Sequence, residues 1–168
     1  MKTNVTLIGM PGVGKSTMGV ILAKELGYSF IDSDLLIQNR EHMLLHEIIE
    51  TSGINGFLRI EEEVNASIQA ERSVIATGGS VVYGDKAMAH LREISTVVYL
   101  RLPYSRLQKR LSDLHDRGVV LKEGQTLGDI FRERSLLYEK YADVIVDEAG
   151  LGIEETLRRT KEELRKAE

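Results

Sequence analysis

Cysteine, tryptophan and long hydrophobic runs are absent from the 168-residue sequence, which also contains only two prolines. Without cysteine the chain has no disulfide framework and no thiolate metal site, which suits a reducing compartment. Its longest apolar stretches are short runs such as VVYL, and we find no transmembrane span and no secretory signal. We therefore expect a soluble cytoplasmic protein that does not enter a membrane.

Positive charge is not in excess either. The net charge is −4 and the pI is near 5.7, so the chain lacks the basic character that nucleic-acid binding requires. A chain of this length can bury a core without metal or disulfide support, and one domain is the default. We expect a monomer in which residues 1–168 form one domain that acts on a small molecule.

Short β-rich runs alternate with longer helical patterns along the chain. Gly27 is predicted to cap the helix after the first strand, and the final helix carries Ile153, Leu157 and Leu164 on one face. Strands that alternate with helices predict a mostly parallel sheet with helices on both faces. The predicted strands are Asn4–Ile8, Ser29–Ile31, Ser73–Ala76, Thr96–Leu100 and Val144–Asp147.

One segment interrupts this alternation. Residues 112–126, SDLHDRGVVLKEGQT, are polar, contain two glycines and show no clear periodicity. Long loops in compact domains are often functional lids. We predict a lid loop at about residues 112–126.

The strongest chemical signal is GMPGVGKST, residues 9–17, which has the spacing G-x-x-x-x-G-K-S between an apolar strand and an amphipathic helix. In that context glycine N–H groups and the helix N-terminus bind phosphate oxygens. Lys15 would contact the β- and γ-phosphates, and Ser16 would bind Mg²⁺. The alternative is a glycine-rich turn with a solvated lysine. The predicted nucleotide-binding residues are Gly9, Pro11, Gly12, Val13, Gly14, Lys15, Ser16 and Thr17.

Two carboxylates, Asp32 and Asp34, follow the second strand in the segment FIDSD. One can order metal-bound water while the other contacts a substrate hydroxyl. Aspartate also suits a helix N-cap, so capping is the alternative. The pair lies one βα unit after the phosphate loop, at the edge where α/β sheets bind ligands, which favours a functional role. The sequence contains neither an N-K-x-D guanine motif nor an L-S-G-G-Q transporter motif.

Arg134 lies in an apolar helical stripe. It occupies the i+7 position of a pattern that is otherwise apolar, and a desolvated charge needs a partner or a cavity. The guanidinium geometry favours capture of a carboxylate, while the alternatives are snorkelling to the surface and pairing with an internal carboxylate. The stripe consists of Leu127, Ile130, Phe131, Tyr138 and Tyr141.

The order and spacing of these segments resemble the shikimate kinase family over nearly the whole chain. The resemblance rests on GMPGVGKST, FIDSD, GFLRIEE, VIATGGS, VVYL and ERSLLYEKYAD. It implies an α/β, three-layer P-loop NTPase fold with a five-stranded parallel sheet, helices on both faces and a lid loop. It also implies transfer of the γ-phosphoryl group of MgATP to the 3-hydroxyl of shikimate, in the pathway to aromatic amino acids.

The resemblance implies catalytic and metal-binding roles. Asp34 matches the carboxylate that binds the reacting hydroxyl and acts as base, and Asp32 matches the carboxylate near the metal that Ser16 also binds. Lys15 is the loop lysine on the phosphates, and Arg117 lies where the lid supplies an arginine to the transferred phosphate.

The resemblance also implies binding roles. Gly78 and Gly79 match the first two glycines of a three-glycine turn whose backbone approaches the substrate. Arg134 matches the arginine that pairs with the substrate carboxylate. Arg110 lies where an arginine packs beside the adenine.

Several positions depart from the family pattern. Leu58 occupies the place of an arginine that forms the second arm of the carboxylate clamp, and Ser80 replaces the third glycine of the turn. The lid has Gly118, Val119 and Val120 after Arg117. Losing one charge-assisted hydrogen bond of about 1.5 to 3 kcal/mol would weaken shikimate binding roughly ten- to a hundredfold.

Arg59 is the candidate to replace that missing arm. On a helical wheel Leu58 lies roughly 115° from the buried centre and Arg59 roughly 145° away on the other flank. The wheel therefore predicts that Arg59 is exposed and pairs weakly with Glu62 or Glu63. The buried face is defined by Phe57, Ile60, Val64 and Ile68.

Three functions stay open at this point. The first is a shikimate kinase with an altered clamp. The second is a kinase for another small hydroxylated metabolite, such as a polyol or a sugar acid. The third is a nucleotide-binding regulator without catalytic activity; retention of Lys15, Ser16, Asp32 and Asp34 argues against it.

Overall fold

The computed structural model describes residues 2–112, 121–148 and 150–167. In this part of the chain five parallel strands form one sheet in the order β2-β3-β1-β4-β5. The predicted sheet is confirmed, and β2 and β4 are slightly longer than the sequence indicated. The strands are β1 Asn4–Ile8, β2 Ser29–Asp32, β3 Ser73–Ala76, β4 Ser95–Arg101 and β5 Val144–Asp147.

The helices cover both faces of the sheet. The connection from β1 to β2 crosses the sheet in one direction, and the later connections cross in the other. Right-handed crossovers therefore put α1 on one face and α2 to α6 on the opposite face, while α7 contacts α1. The helices are α1 Lys15–Leu26, α2 Ser33–Glu41, α3 Leu45–Ala66, α4 Asp85–Ile94, α5 Tyr104–Ser112, α6 Leu127–Tyr141 and α7 Ile153–Ala167.

The carboxyl ends of the parallel strands meet at one edge of the sheet. The loop after β1, the start of α2 after β2 and the turn after β3 all begin there. Since β1 lies between β3 and β4, the chain changes direction across the sheet at this strand, which is where α/β sheets bind ligands. The sheet thus brings together segments that are far apart in the sequence.

The central strands are buried on both sides, as expected for a parallel sheet between two helical layers. Every residue of β1 and β3 is buried. The polar side chain of Asn4 is tolerated there because its Nδ2 donates to the carbonyl oxygens of Ala70 and Ile94, and its Oδ1 accepts from the Ser73 amide. These hydrogen bonds tie the start of β1 to β3 and to the residues before β3 and β4.

Helix α3 contains a kink at Gly53, whose φ of 71° and ψ of 174° are not helical. From residue 54 onward the helix is regular, so the helical wheel is valid at Leu58 and Arg59. This second part packs against α2 and forms a small separate apolar cluster. The buried members of that cluster are Ile37, Ile48, Phe57 and Val64.

Two other predictions concern the end of α1 and the apolar face of α7. Gly27 caps α1 in the left-handed conformation, as predicted. Ile153, Leu157 and Leu164 all lie in α7 at i, i+4 and i+11, and Ile153, the first residue of the helix, is exposed. Leu164 is buried and Leu157 is partly buried against the core.

The predicted lid is only partly described. α5 ends at Ser112, and residues 121–126 lead through a turn to Thr126, whose side chain caps α6. The centre of the predicted lid, which includes Arg117, lies outside the described residues.

Within the described ranges, none of the helices is long and apolar enough to span a lipid bilayer.

Candidate active site

The loop between β1 and α1 has the backbone that a phosphate site requires. Gly9, Gly12 and Gly14 have φ values of 150°, 82° and 95°, which side chains rarely adopt. A Cβ at Gly9 would also lie 2.7 Å from the Leu100 carbonyl oxygen. α1 begins directly after Gly14, so the strand, glycine loop and helix occur in the predicted order, with Pro11 and Val13 in the loop and Thr17 in the first turn of the helix.

Lys15 is folded back under this loop rather than solvated. Its Nζ donates to the carbonyl oxygens of Gly9, at 2.7 Å, and Met10, at 2.9 Å, and the side chain is buried. Burial lowers the pKa of Lys15 to about 8, against the opposing attraction of Asp34. The alternative of a merely solvated lysine is therefore wrong.

Ser16 and Asp32 face one another across the start of the two helices. The Ser16 hydroxyl donates to Oδ2 of Asp32 at 3.1 Å. Oδ1 of Asp32 accepts from the amides of Asp34, at 2.9 Å, and Leu35, at 3.3 Å, so Asp32 also caps α2. The capping role of Asp32 is confirmed; its other oxygen lies beside Ser16, and its role at a metal stays a prediction.

The oxygen pair of Ser16 and Asp32 fits a hard cation such as Mg²⁺, which prefers oxygen ligands and takes few of them from protein. In residues 2–112, 121–148 and 150–167, no three acidic or histidine side chains form a metal cluster. Further ligands at this position would come from phosphate and water.

Asp34 is half-buried beside the turn that follows β3. Burial and then the charge of Asp32 raise the pKa of Asp34, while Lys15 opposes the rise. A Cβ at Gly78 would lie 2.9 Å from Oδ1 of Asp34 and 2.8 Å from Oε2 of Glu61. A side chain at position 78 would therefore displace one or both of these carboxyl groups.

Glu61 is a site residue that the sequence analysis missed. It is only 2% exposed, and its Oε1 accepts a 2.6 Å hydrogen bond from Ser80. Oε2 has no hydrogen-bond partner among the described residues. Burial raises the pKa of Glu61 to about 7; Asp34 adds to the rise and the Ser80 hydrogen bond opposes it. At neutral pH this carboxyl therefore exchanges between its neutral and charged forms.

A signal for Glu61 exists in the sequence. It lies four residues after Phe57 and three before Val64, which puts it on the buried face of α3. The same argument predicted the burial of Arg134. Glu62 and Glu63 lie farther round the helix and contact other elements.

Arg134 reaches the same turn from α6. It is 1% exposed, its Nε donates to the Tyr83 hydroxyl at 3.3 Å, and its guanidinium lies 5.3 Å from the centre of the Tyr83 ring. A Cβ at Gly79 would lie 3.1 Å from Nη1 of Arg134 and 2.7 Å from Cδ of Pro11. Snorkelling of Arg134 is therefore excluded, and the arginine, the glycine turn and the phosphate loop form one contiguous site.

Tyr138 holds the Gly78–Gly79 turn in place through a hydrogen bond. Its hydroxyl donates to the Gly79 carbonyl oxygen at 2.6 Å, and burial raises its pKa, so it stays a neutral donor. Tyr138 is one helical turn after Arg134 on α6, so this helix both holds the turn and presents a cation to it.

Comparison with known proteins decides the family. A family model described as shikimate kinase matches residues 11–165. The chain belongs to the shikimate kinase family. It is therefore classed with phosphotransferases that act on an alcohol group and use ATP as co-substrate.

Shikimate kinases are also its relatives over most of their length. Shikimate kinase of Thermodesulfovibrio yellowstonii is 35% identical over 159 residues, which cover 93% of this chain and 91% of that protein. Shikimate kinase 2 of Yersinia pseudotuberculosis is 32% identical over 156 residues, with 88% and 87% covered. The solved structure of shikimate kinase from Acinetobacter baumannii in complex with shikimate has a TM-score of 0.86 at 28% identity, with 96% of this chain and 92% of that chain covered.

The resemblance to shikimate kinases implied a clamp arginine at position 58, where this chain has Leu58. Leu58 is half-buried and packs against the apolar cluster around Phe57, where it stabilises the contact between α2 and α3. Arg59 is exposed and is not brought to the site. Arg59 therefore does not supply the cation that was expected at position 58.

The predicted pairing of Arg59 with Glu62 or Glu63 is wrong. Glu63 pairs instead with Arg40 of α2 at 2.7 Å, and Glu62 accepts from the Lys86 amide at the start of α4. Glu63 contacts α2 and Glu62 contacts α4. These tertiary contacts replace the ion pairs within α3 that helical spacing predicted.

Arg110 contacts the phosphate loop, while its implied place beside the adenine stays a prediction. Its Nη1 donates to the carbonyl oxygens of Gly12, at 3.2 Å, and Val13, at 3.4 Å. This contact links α5, and hence the start of the predicted lid, to the loop.

Proposed function

We propose that this member of the shikimate kinase family transfers the γ-phosphoryl group of MgATP to the 3-hydroxyl of shikimate. The observation that carries the proposal is the convergence of three groups on the Gly78–Gly79 turn. Asp34 lies beside Gly78, Arg134 lies beside Gly79, and buried Lys15 lies within electrostatic range of both side chains. A base, a carboxylate-binding cation and a phosphate-binding cation are the groups that phosphorylation of a hydroxylated acid requires.

The phosphate loop provides the nucleotide side of the reaction. Its amides and the N-terminus of α1 bind phosphate oxygens, and Lys15 leaves its carbonyl partners to meet the negative charge. Ser16 and Asp32 would hold Mg²⁺, which supplies charge neutralisation of the phosphates when bound. In the lid, Arg117 is the proposed cation for the transferred group.

Asp34 is the proposed base. Its carboxylate accepts the proton of the substrate hydroxyl as that oxygen bonds to the γ-phosphorus, while the bond from that phosphorus to the bridging oxygen breaks and ADP leaves. Arg134 orients the acceptor by pairing with its carboxylate, for which the guanidinium fork is suited. Gly78 and Gly79 let the acceptor approach the backbone between these two groups.

The proposal extends to a single-domain monomer that works in the cytoplasm. The described site residues meet within a single chain, which supports a monomer. The cysteine-free sequence suits a reducing compartment.

A coupled assay of ADP release with shikimate and MgATP tests the proposal. We expect saturable turnover that depends on shikimate and is lost in Lys15→Ala and in Asp34→Asn, with the fold retained by circular dichroism. A panel of polyols and sugar acids belongs in the same assay because Leu58 replaces a clamp arginine. Turnover on a panel member but not on shikimate would reject shikimate as the substrate, and no turnover on any compound would reject the kinase activity.

A further inference from the structure

Tyr83 contacts Arg134 from the end of the short helical turn Val81–Tyr83, which follows the glycine turn. Its hydroxyl oxygen accepts from Nε of Arg134 at 3.3 Å, although the two residues are 51 positions apart. The guanidinium carbon also lies 5.3 Å from the centre of the Tyr83 ring, and an aromatic face attracts a cation. Tyr83 therefore holds Arg134 through two different contacts, and the proposed mechanism gives it no role.

The backbone around Tyr83 is fixed by hydrogen bonds that begin at the glycine turn. The Val81 amide donates to the Gly78 carbonyl oxygen at 3.3 Å, and the Tyr83 amide donates to the Ser80 carbonyl oxygen at 3.1 Å. Val81 and Val82 are buried in the main core, while Tyr83 is half-buried. The tyrosine thus keeps a fixed place relative to the turn that the acceptor approaches.

The contact with Tyr83 determines which edge of the guanidinium can meet a carboxylate. An arginine pairs with a carboxylate either through Nε and one terminal nitrogen or through its two terminal nitrogens. In Arg134 the Tyr83 hydroxyl occupies Nε, while Nη1 lies beside Gly79, 3.1 Å from where a Cβ would be. The Nη1 end of the fork is therefore directed at the glycine turn, which favours pairing through the two terminal nitrogens.

The hydrogen of the Tyr83 hydroxyl has an acceptor of its own. Burial, and then a hydrogen bond to the exposed Glu133, raise the pKa of Tyr83, while Arg134 opposes the rise. One hydroxyl can donate to a carboxylate and accept from a guanidinium at the same time, and each bond of such a chain strengthens the next. Glu133 thus supports the same orientation of the Tyr83 oxygen toward Arg134.

The orientation of Arg134 matters more in this chain because Leu58 lacks the charge of a second clamp arm. Arg59 is exposed and does not reach the site, so the proposed mechanism relies on Arg134 to orient the acceptor carboxylate. Two parallel hydrogen bonds form only when the fork is correctly aimed, and holding it in advance reduces the cost of ordering it on binding. A residue that fixes the fork therefore affects affinity for an acid without touching it.

We propose that Tyr83 is a positioning residue that aims the two terminal nitrogens of Arg134 at the carboxylate of the acceptor, and so helps the site to select a hydroxylated acid. This inference rests on the proposed function, in which Arg134 pairs with that carboxylate.

Tyr83→Phe keeps the ring over the guanidinium and removes only the hydroxyl. We expect the KM for shikimate to rise roughly three- to tenfold, with kcat and the KM for ATP nearly unchanged, in steady-state kinetics. Tyr28→Phe is the matched control, because Tyr28 is also half-buried with an arginine, Arg72, 5.5 Å from its ring centre. It precedes β2, at the end of the strand away from the site, and should leave all three constants unchanged.

A double-mutant cycle with Arg134→Lys separates positioning from a general effect on the fold. Lysine has no Nε–H for the tyrosine to hold, so in the Arg134→Lys background Tyr83→Phe should cause no further rise in the KM for shikimate. A purely structural role of Tyr83 would instead change the KM by the same factor in both backgrounds. Calorimetric titration of the four proteins with shikimate measures the same coupling without turnover.

Two results would overturn the inference. One is an unchanged affinity for shikimate in Tyr83→Phe, even where the melting temperature falls. The other is an equal rise in KM in both backgrounds. A chain that binds shikimate with the expected coupling but does not phosphorylate it would contradict the proposed function alone. If another acid of the panel is the substrate, the cycle is measured with that acid, and binding of none of the acids would contradict both proposals.

Discussion

Ser80 and Glu61 form a buried hydrogen bond in which the Ser80 hydroxyl donates to Oε1 of Glu61 at 2.6 Å. The bond joins the turn after β3 to the second half of α3. Gly78 lies between the carboxyl groups of Glu61 and Asp34. Glu61 lies three residues from Leu58, a helical spacing at which an arginine could have paired with it. In this chain the donor to the carboxyl is Ser80, where the resemblance implied a glycine.

Ser80→Ala should lower the free energy of unfolding by about 1 to 3 kcal/mol, because it leaves both oxygens of a buried carboxyl without a donor. Urea denaturation measures this, with Ser105→Ala on the exposed side of α5 as the matched control. Equal stability of the two variants would show that the hydrogen bond contributes nothing to the fold.

Glu61→Gln should stabilise the protein at alkaline pH. The folded-state pKa of about 7 exceeds the usual 4.5, so the folded protein binds a proton that the unfolded chain lacks, and stability falls as pH rises through this range. The glutamine variant has no such proton to lose. Its stability advantage should grow from near zero at pH values below 4.5 to about 1 to 3 kcal/mol above pH 7.

Unfolding of both proteins at several pH values measures this difference. Glu93→Gln removes the same charge at an exposed position of α4 and is the control. A constant offset between Glu61→Gln and the unsubstituted protein across the range would mean that Glu61 has an ordinary pKa.

Leu58→Arg should lower the KM for shikimate roughly tenfold, since it adds a charged donor at the position of the missing clamp arm. Arg59→Ala changes an exposed side chain on the next position of the same helix and should leave kcat and KM unchanged. Steady-state kinetics of the two variants measure kcat and the KM for shikimate. An unchanged KM in Leu58→Arg would show that position 58 does not face the substrate, and a large loss in Arg59→Ala would show that Arg59 does.

Arg134→Lys should raise the KM for shikimate roughly ten- to a hundredfold although the positive charge is kept, because lysine cannot pair with a carboxylate through two parallel hydrogen bonds. Arg132→Lys on the same helix is exposed and provides the control. The KM for ATP should change little in either variant. A rise confined to the KM for ATP would assign Arg134 to the nucleotide rather than to the acceptor.

Some of the candidate site follows from local patterns. The phosphate loop is predictable because glycine spacing, a preceding strand and a following helix are all encoded within Asn4–Leu26. The burial of Arg134 follows from its place in an apolar helical stripe, since a helix has one periodicity whatever it packs against. The alternation of strand and helix likewise predicts the parallel sheet, which the structure confirms.

The partners of Glu61 and Arg134 do not follow from local patterns. Ser80 is 19 residues from Glu61, and Tyr83 is 51 residues from Arg134. The error over Arg59 has the same origin, because Arg40 of another helix takes the glutamate that helical spacing had assigned to it.

The sequence by itself therefore determined the fold class, the phosphate loop and the family, because these depend on short-range spacing and on the periodicity of burial. Only the tertiary structure decided which donors the buried carboxyl groups meet and whether Leu58 has a substitute. Those properties depend on desolvation and on contacts across the sheet edge, which exist only once β1, β3 and the helices around them have assembled.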